Sequence, residues 1–311
     1  MVSAVAHERS GSRPLITVFT PAFNRAPTLP RLAESLDAQR FQDFEWLVVD
    51  DGSTDGSPAL LDAWAAAGEH RLRFVRGPNG GKHRAINRGV SMAGGEWFFI
   101  VDSDDWLPAD ALETIAGALP EAAKRGDCGG LIGLRGDGPG RVIGTRLPSQ
   151  PRYQTTIDLY FLRGVKGDKA VVYRTAVLKD FPFPEFQGEK FLTEAVVWNR
   201  IARSGLKMLV VDEIIYGCEY LDGGLSSRSL ELRAANPAGN LLYYAEQLEL
   251  PLPLRRLVRP AINYLRFAML CRKGALAALR AIGRGRALCL VLLPIAAVLA
   301  LRDAAVLGRR R

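Results

Sequence analysis

The sequence predicts an α/β fold: a mostly parallel sheet flanked by helices, followed by a basic, partly apolar C-terminal helical extension. Three observations carry that expectation. Short apolar runs alternate with helical patterns from Leu15 to Leu119, as in a parallel, doubly wound sheet. Two of those runs, 44–49 and 97–101, end in clustered aspartates, Asp50-Asp51 and Asp102-Ser103-Asp104-Asp105. Charge is also divided unevenly: of 41 basic and 33 acidic residues, 13 and one fall in 254–311, which leaves 28 and 32 for the remainder. A mildly acidic body thus precedes a strongly basic tail.

The elements follow in order. Residues 1–13 lack an apolar core and read as a disordered lead-in rather than a secretory signal. Residues 15–19 form the first strand, and Leu29, Leu32, Ala33 and Leu36 give the helix over 27–40 one apolar face. The strand ending at Val49 leads through a turn to Ser57 as N-cap and Pro58 at the first helical position, with Gly68 as the stop. A short strand at 72–75 precedes Asn79-Gly80-Gly81, which opens a helix to about Met92. The Trp97 strand follows, then a helix over 108–119.

Beyond Gly126 the pattern changes. The glycine-rich stretch 129–144 reads as a hairpin or loop, 169–178 as a strand, 193–204 as a helix ended by Gly205, and 208–211 and 214–220 as two further strands. The body ends near Ser229, with helices after it. In the tail, 287–301 is wholly apolar, flanked by Arg284, Arg286 and Arg302 and interrupted by Pro294. Its length falls short of the ~20 residues of a spanning helix. Extension through Asp303 to Val306 approaches that length only by burying charge. An interfacial helix with arginines reaching anionic headgroups fits better than nucleic-acid binding, and a helical pair packed on the body is the competing reading.

Four cysteines (Cys128, Cys218, Cys271, Cys289) without CxxC spacing argue against a zinc site or disulfide framework and fit a reducing cytoplasm. Carboxylates at the carboxyl ends of sheet strands lie where open α/β sheets bind ligands. Crowded there, they repel one another, so a divalent cation and sugar hydroxyls are natural partners. Asp50 and Asp51 also suit turn and capping roles. A P-loop is excluded, because Arg76 stands where it needs glycine and His83 where it needs Ser or Thr. No GxGxxG follows the first strand.

The run Leu15 to Arg25, with Thr20-Pro21-Ala22-Phe23-Asn24, resembles the opening of family-2 inverting glycosyltransferases. So do Asp50-Asp51-Gly52-Ser53-Thr54-Asp55, Asn79-Gly80-Gly81-Lys82-His83-Arg84 and the Asp102-Ser103-Asp104 DxD element, in that order. The resemblance covers roughly 14–220. It implies a GT-A type fold over 14–230, with a nucleotide-sugar half at about 14–120 and an acceptor half at about 121–230; the charge and apolar stretch of the tail make 231–311 a membrane-associating extension. By position it implies that Thr20, Pro21 and Phe23 line the base pocket, and that Asp50 or, better, Asp51 meets the base or ribose. Lys82 would lie near the nucleotide, Asp102 would meet ribose or metal, and Asp104 would ligate Mg²⁺ or Mn²⁺ bound to the diphosphate. The general base aligns with Glu194, where Thr193 replaces a usual second acid, and Glu189 is the fallback. Trp198 reads as core, His83 as a packing residue, and 53–55 as turn chemistry.

The implied activity is metal-dependent transfer of a sugar from a nucleoside diphosphate to a glycan or lipid-linked hydroxyl acceptor in cell-envelope polysaccharide synthesis. It is expected at the cytoplasmic face of the inner membrane, without nucleic acid. Absence of QxxRW points to single addition. A nucleotidyltransferase would want a glycine- and basic-rich loop where Thr20-Pro21-Ala22 stands, and an aspartyl phosphotransferase an Asp after its first strand. A non-enzymatic membrane-associated carbohydrate-binding protein would need neither Glu194 nor Asp104.

Overall fold

The computed structural model describes residues 4–5, 13–138, 140–219, 229–271 and 275–309. The chain divides into two compact units, Met1–Phe183 with Val197–Glu219, and Pro184–Val196 with Tyr220–Arg311.

In the first unit a nine-stranded mixed sheet is built from β1 (Ala4–Val5), β2 (Ile16–Ala22), β3 (Phe44–Asp50), β4 (Leu72–Arg76), β5 (Trp97–Ile100), β6 (Cys128–Gly136), β7 (Tyr153–Gln154), β8 (Lys169–Arg174) and β9 (Lys207–Gly217). The order across the sheet is β1-β4-β3-β2-β5-β8-β6-β9-β7. Strands β4, β3, β2 and β5 are mutually parallel, whereas β8 runs against both β5 and β6. The α/β expectation holds. The lead-in, however, contributes Ala4–Val5 as an edge strand against β4; residues 1–3 and 6–12 lie outside the described part.

All seven residues of β3 are buried, as a strand covered on both faces must be. One face packs Trp46, Val48 and Phe99 under α1 (Leu29–Asp37), through Leu32 and Leu36, and under α4 (Ala111–Ala123), through Leu112 and Ile115. The other face stacks Phe19 on Phe98 at 5.0 Å. Helices α2 (Ser57–Ala67) and α3 (Lys82–Met92) complete the parallel half. Each fully buried Leu or Phe here contributes roughly 1.5–3 kcal/mol.

Several boundaries differ from expectation, each for a local reason. Ser57 lies inside α2, and Gly56 takes the capping position; the Ser57 hydroxyl instead accepts the Arg25 amide at 2.8 Å. Helix α4 starts at Ala111 and continues through Pro120, since Ala122 beyond it is fully buried. The strand from Lys169 stops at Arg174, because the Thr175 amide and hydroxyl bond to the carbonyls of Glu96 (2.8 Å) and Gly95 (2.7 Å) and start α5 (Thr175–Asp180). A π-helical turn (Asp158–Leu162) precedes β8. Helix α6 (Ala195–Arg203) leads into β9. The two expected strands at 208–220 are one, β9, with Asp212-Glu213 at a bulge between the pairs Ile132↔Val210 and Leu134↔Ile214.

The largest difference is β6, a nine-residue interior strand in the glycine-rich stretch expected as a hairpin or loop. A Cβ at Gly130 would lie 2.1 Å from the Val172 carbonyl oxygen. Glycine there marks close strand approach rather than a turn.

The second unit holds α7 (Ser229–Ala235), α8 (Pro237–Leu248), α9 (Leu254–Leu270), α10 (Ala275–Ala281) and α11 (Arg286–Arg309). The apolar tail is longer than its 15-residue apolar stretch implied: α11 continues past Asp303, which is 1% exposed and paired with Arg266 of α9. Pairing is what makes burial of that carboxylate tolerable. Cys289, Ala296 and Ala300 are buried, whereas Leu290, Val291, Ile295, Val298 and Leu301 are exposed along the helix.

Gly130→Ala is expected to cost about 3 kcal/mol in urea unfolding, since backbone cannot yield as a side chain does. Gly126→Ala, with nothing within 4 Å of its Cβ, should cost less than about 0.5 kcal/mol. Equal midpoints for the two would refute the close-approach account.

Candidate functional site

The parallel register places the ends of β2, β3 and β5 side by side, so the loops after them form one rim. Those loops are stitched together by short polar side chains. Asn24 donates its amide to the Ser53 hydroxyl (2.9 Å) and accepts from the Thr54 amide (2.8 Å), and Ala26 donates to Asp55 (3.1 Å). Turn chemistry at 53–55 thus anchors the neighbouring loop.

The two aspartates after β3 separate in role. Asp50 is 1% exposed, accepts the Ser53 amide at 3.0 Å and lies 3.6 Å from the Arg76 guanidinium. Asp51 accepts the amides of Gly80 (2.8 Å) and Gly81 (2.7 Å), just ahead of α3. Gly52 makes this possible: its φ is 80°, and a Cβ there would meet the Asn79 nitrogen at 2.6 Å.

Helix α3 begins at Lys82, whose ammonium lies 2.5 Å from Asp102. The structure therefore brings Lys82 and Asp102 together. Asp104 is one-third exposed, 3.6 Å from the Arg25 guanidinium, and its backbone carbonyl accepts from Arg31. Burial opposes ionisation of Asp102, but the charges of Lys82, Arg135 and Arg25 outweigh it and hold its carboxyl below the ordinary range. Asp105 goes the other way. Burial, reinforced by the charges of Asp102 and Asp104, pushes it up to about 7.

A buried network under the rim went unread in the sequence. The Asp102 amide donates to the Tyr216 hydroxyl (2.9 Å), which donates to Asp105 (2.7 Å). The Arg135 guanidinium lies 4.0 Å over the Tyr216 ring and 3.9 Å from Asp105. The pairing Arg135↔Tyr216 of β6 with β9 sets this geometry. Tyr216 sits in an apolar run whose pattern marks it only as core.

The remaining candidates are placed as follows. Thr20 is fully buried, its hydroxyl accepting the Trp46 indole N–H at 3.0 Å; Pro21 is half-buried and Phe23 is 43% exposed. His83 is buried. Trp198 stacks on Tyr173 at 4.6 Å and meets Phe183 edge-on at 5.7 Å, a packing role. In the second unit, Glu194 occupies the turn directly before α6 and is half-buried. Glu189 accepts the amides of Ala238 (2.6 Å) and Gly239 (2.8 Å), so it caps the N-terminus of α8. Among the described residues no three His, Cys, Asp or Glu side chains gather to hold a metal unaided.

A family model described as Glycosyl transferase family 2 matches residues 17–181. The chain belongs to this family. It is similar to "Glycosyltransferase GlyG" of Streptococcus pneumoniae serotype 4, 39% identical over 102 residues, 32% of this chain and 34% of that protein. It is also similar to a "PGL/p-HBAD biosynthesis glycosyltransferase" of Mycobacterium tuberculosis, 35% identical over 109 residues, 35% of this chain and 43% of that one. The matched stretch thus spans about a third to two fifths of these relatives' length. Among solved structures, S. aureus TarS 1-349 in complex with UDP-GlcNAc superposes with TM-score 0.65 at 19% identity, covering 93% of this chain and 89% of that one. The mannosyltransferase PcManGT from Pyrobaculum calidifontis, in complex with GDP-Man and Mn²⁺, gives TM-score 0.57 at 21% identity over 94% and 86%. These likenesses establish the GT-A type fold of this family-2 chain.

Tyr216→Phe is expected to lower stability by about 2 kcal/mol, because it strands the Asp102 amide and removes a donor to Asp105. Denaturant unfolding reads this directly, and an unchanged midpoint would show that the bridge is idle.

Proposed function

We propose that this family-2 chain transfers a sugar from a nucleoside-diphosphate donor to a hydroxyl acceptor, with inversion and with help from a divalent cation. The observation that carries the proposal is the rim itself. A turn anchored by Asp51, an ammonium at Lys82 and the partly exposed carboxylates of Asp102 and Asp104 lie at the carboxyl ends of adjoining parallel strands.

The donor set suits Mg²⁺ or Mn²⁺. Such ions are held by one or two carboxylates and completed by substrate phosphates, so a full protein cage is not needed. Asp104, with Asp102 beside it, would hold the cation. When bound, it neutralises charge that develops on the leaving diphosphate.

The chain's own residues supply the rest. Thr20, Pro21 and Phe23 would border the base, the Asp51 turn would meet the base or ribose, and Lys82 would turn from Asp102 to the phosphates. Glu194 would take the proton of the attacking acceptor hydroxyl as its oxygen bonds to the anomeric carbon opposite the departing diphosphate. Glu189 is a poorer base, since both its oxygens already accept backbone amides.

Acceptor and setting follow from the second unit. Helix α11 is the one helix among the described residues long and apolar enough to cross a membrane, with only 17% of its apolar window buried. One side packs on α9 and the other exposes Val291, Ile295 and Val298. This supports a helix lying with one face in the bilayer, at the cytoplasmic side, and an acceptor of cell-envelope or surface-polysaccharide type, glycan or lipid-linked.

Asp104→Ala is expected to abolish Mn²⁺-dependent turnover while leaving the fold intact, in an assay of nucleotide release across UDP- and GDP-sugars. Full activity of that variant with manganese would overturn the metal assignment. Glu194→Gln should lower kcat by about 10²- to 10⁴-fold, whereas Glu189→Gln should shift the melting midpoint more than kcat. A Val291→Asp/Val298→Asp variant should leave the membrane fraction; if it sediments with membranes as before, α11 is not the contact.

A further inference from the structure

The second unit contains a groove of about 560 Å³ between α7, α8, α9 and α11. Three arginines line it, Arg233 of α7 and Arg259 and Arg266 of α9, and among the described lining residues there is no carboxylate. Beside them stand Tyr244 and Asn263, and the remaining walls are apolar, with Leu230, Val258, Ile262, Phe267 and Leu299. Two of the arginines are held in place: Arg233 donates to Asn240 (3.1 Å) and lies over the Tyr244 ring (5.9 Å), and Arg266 pairs with Asp303. Arg259 is exposed.

We propose that this groove takes the phosphate-bearing headgroup of an anionic bilayer lipid, with the arginines on the phosphate and the adjoining chain against the apolar walls. Guanidinium forks match phosphate oxygens. A free phosphate would gain nothing from Leu230, Ile262 and Leu299, whereas a lipid uses both halves of the lining. Position favours the bilayer as the source. Leu299 lies on α11 between the buried line of Ala296 and Ala300 and the exposed line of Ile295 and Val298. The groove is therefore flanked by the face assigned above to the membrane, and in naming a bilayer lipid the proposal rests on that reading. The lipid would fix the basic extension at an anionic surface through a defined site rather than by diffuse charge.

The test uses the full chain and dihexanoyl-phosphatidic acid below its micellar concentration, read by thermal melting. Phosphatidic acid should raise the midpoint at concentrations at least about tenfold lower than inorganic phosphate or dihexanoyl-phosphatidylcholine, given the added apolar contact. Arg259→Gln and the groove-filling Ile262→Trp should each abolish that preference, whereas Arg255→Gln/Arg256→Gln, altering exposed arginines outside the lining, should keep it. An equal response to inorganic phosphate, or equal loss in the Arg255/Arg256 variant, overturns the proposal. Flotation with phosphatidylcholine vesicles with and without phosphatidic acid separates the two readings. Binding of the short-chain lipid without flotation would support the groove and overturn the membrane face. Flotation that Arg259→Gln leaves unchanged, with no short-chain binding, would do the reverse.

Discussion

The rim depends on one carboxylate that points into the protein. Asp51 accepts two successive amides, those of Gly80 and Gly81, at the point where the chain turns into α3. Left without an acceptor, the buried Gly81 amide would cost about 1–3 kcal/mol, and the part-buried Gly80 amide less. The bond therefore decides where α3 starts, and with it where Lys82 stands. Because Lys82 is the first residue of the helix, its ammonium meets Asp102 after β5. A loop, a helix and two strands are thus placed by one side chain, and Gly52 clears the space in which this happens.

The acids clustered after β5 show how such a site keeps its charge. Asp102 has cations on several sides and stays ionised, whereas Asp105, deeper and next to two other carboxylates, holds its proton more tightly. Neighbouring carboxyls in one loop are thereby driven apart in character, one charged at the rim and one serving the framework. Tyr216 joins them, with one hydroxyl accepting from the Asp102 amide and donating to Asp105. The loop that would meet a donor sugar is thus supported from β9, more than a hundred residues further along the chain.

The parallel half was legible because its signals are local. Apolar runs of strand length, glycine and proline at helix ends, and aspartates at strand tips all fall within a few residues of what they determine. The later half was not, because its signals are contacts between distant segments. Gly129, Gly130 and Gly133 look like loop residues until Val172 is seen against Gly130. Asp212-Glu213 looks like a strand break until its bulge on β6 is known. The resemblance ranks Glu194 ahead of Glu189, but nothing local announces that Glu189 accepts the amides of Ala238 and Gly239, some fifty residues away. Tyr216 and Arg135 gave no warning at all, since a tyrosine in an apolar strand is ordinarily core.

The ion pair between Arg266 and Asp303 has a consequence for α11 as a moving part. Apolar helices slide and roll on one another at little cost, because one methyl contact substitutes for the next. A paired charge in the seam removes that freedom: a slip of one turn, about 5.4 Å, would strand Asp303 among apolar neighbours. The pair behaves as a registration pin, setting both the height and the rotation of α11 on α9. The exposed row from Leu290 to Leu301 is consequently presented at one fixed angle, like the edge of a keel rather than a free rudder.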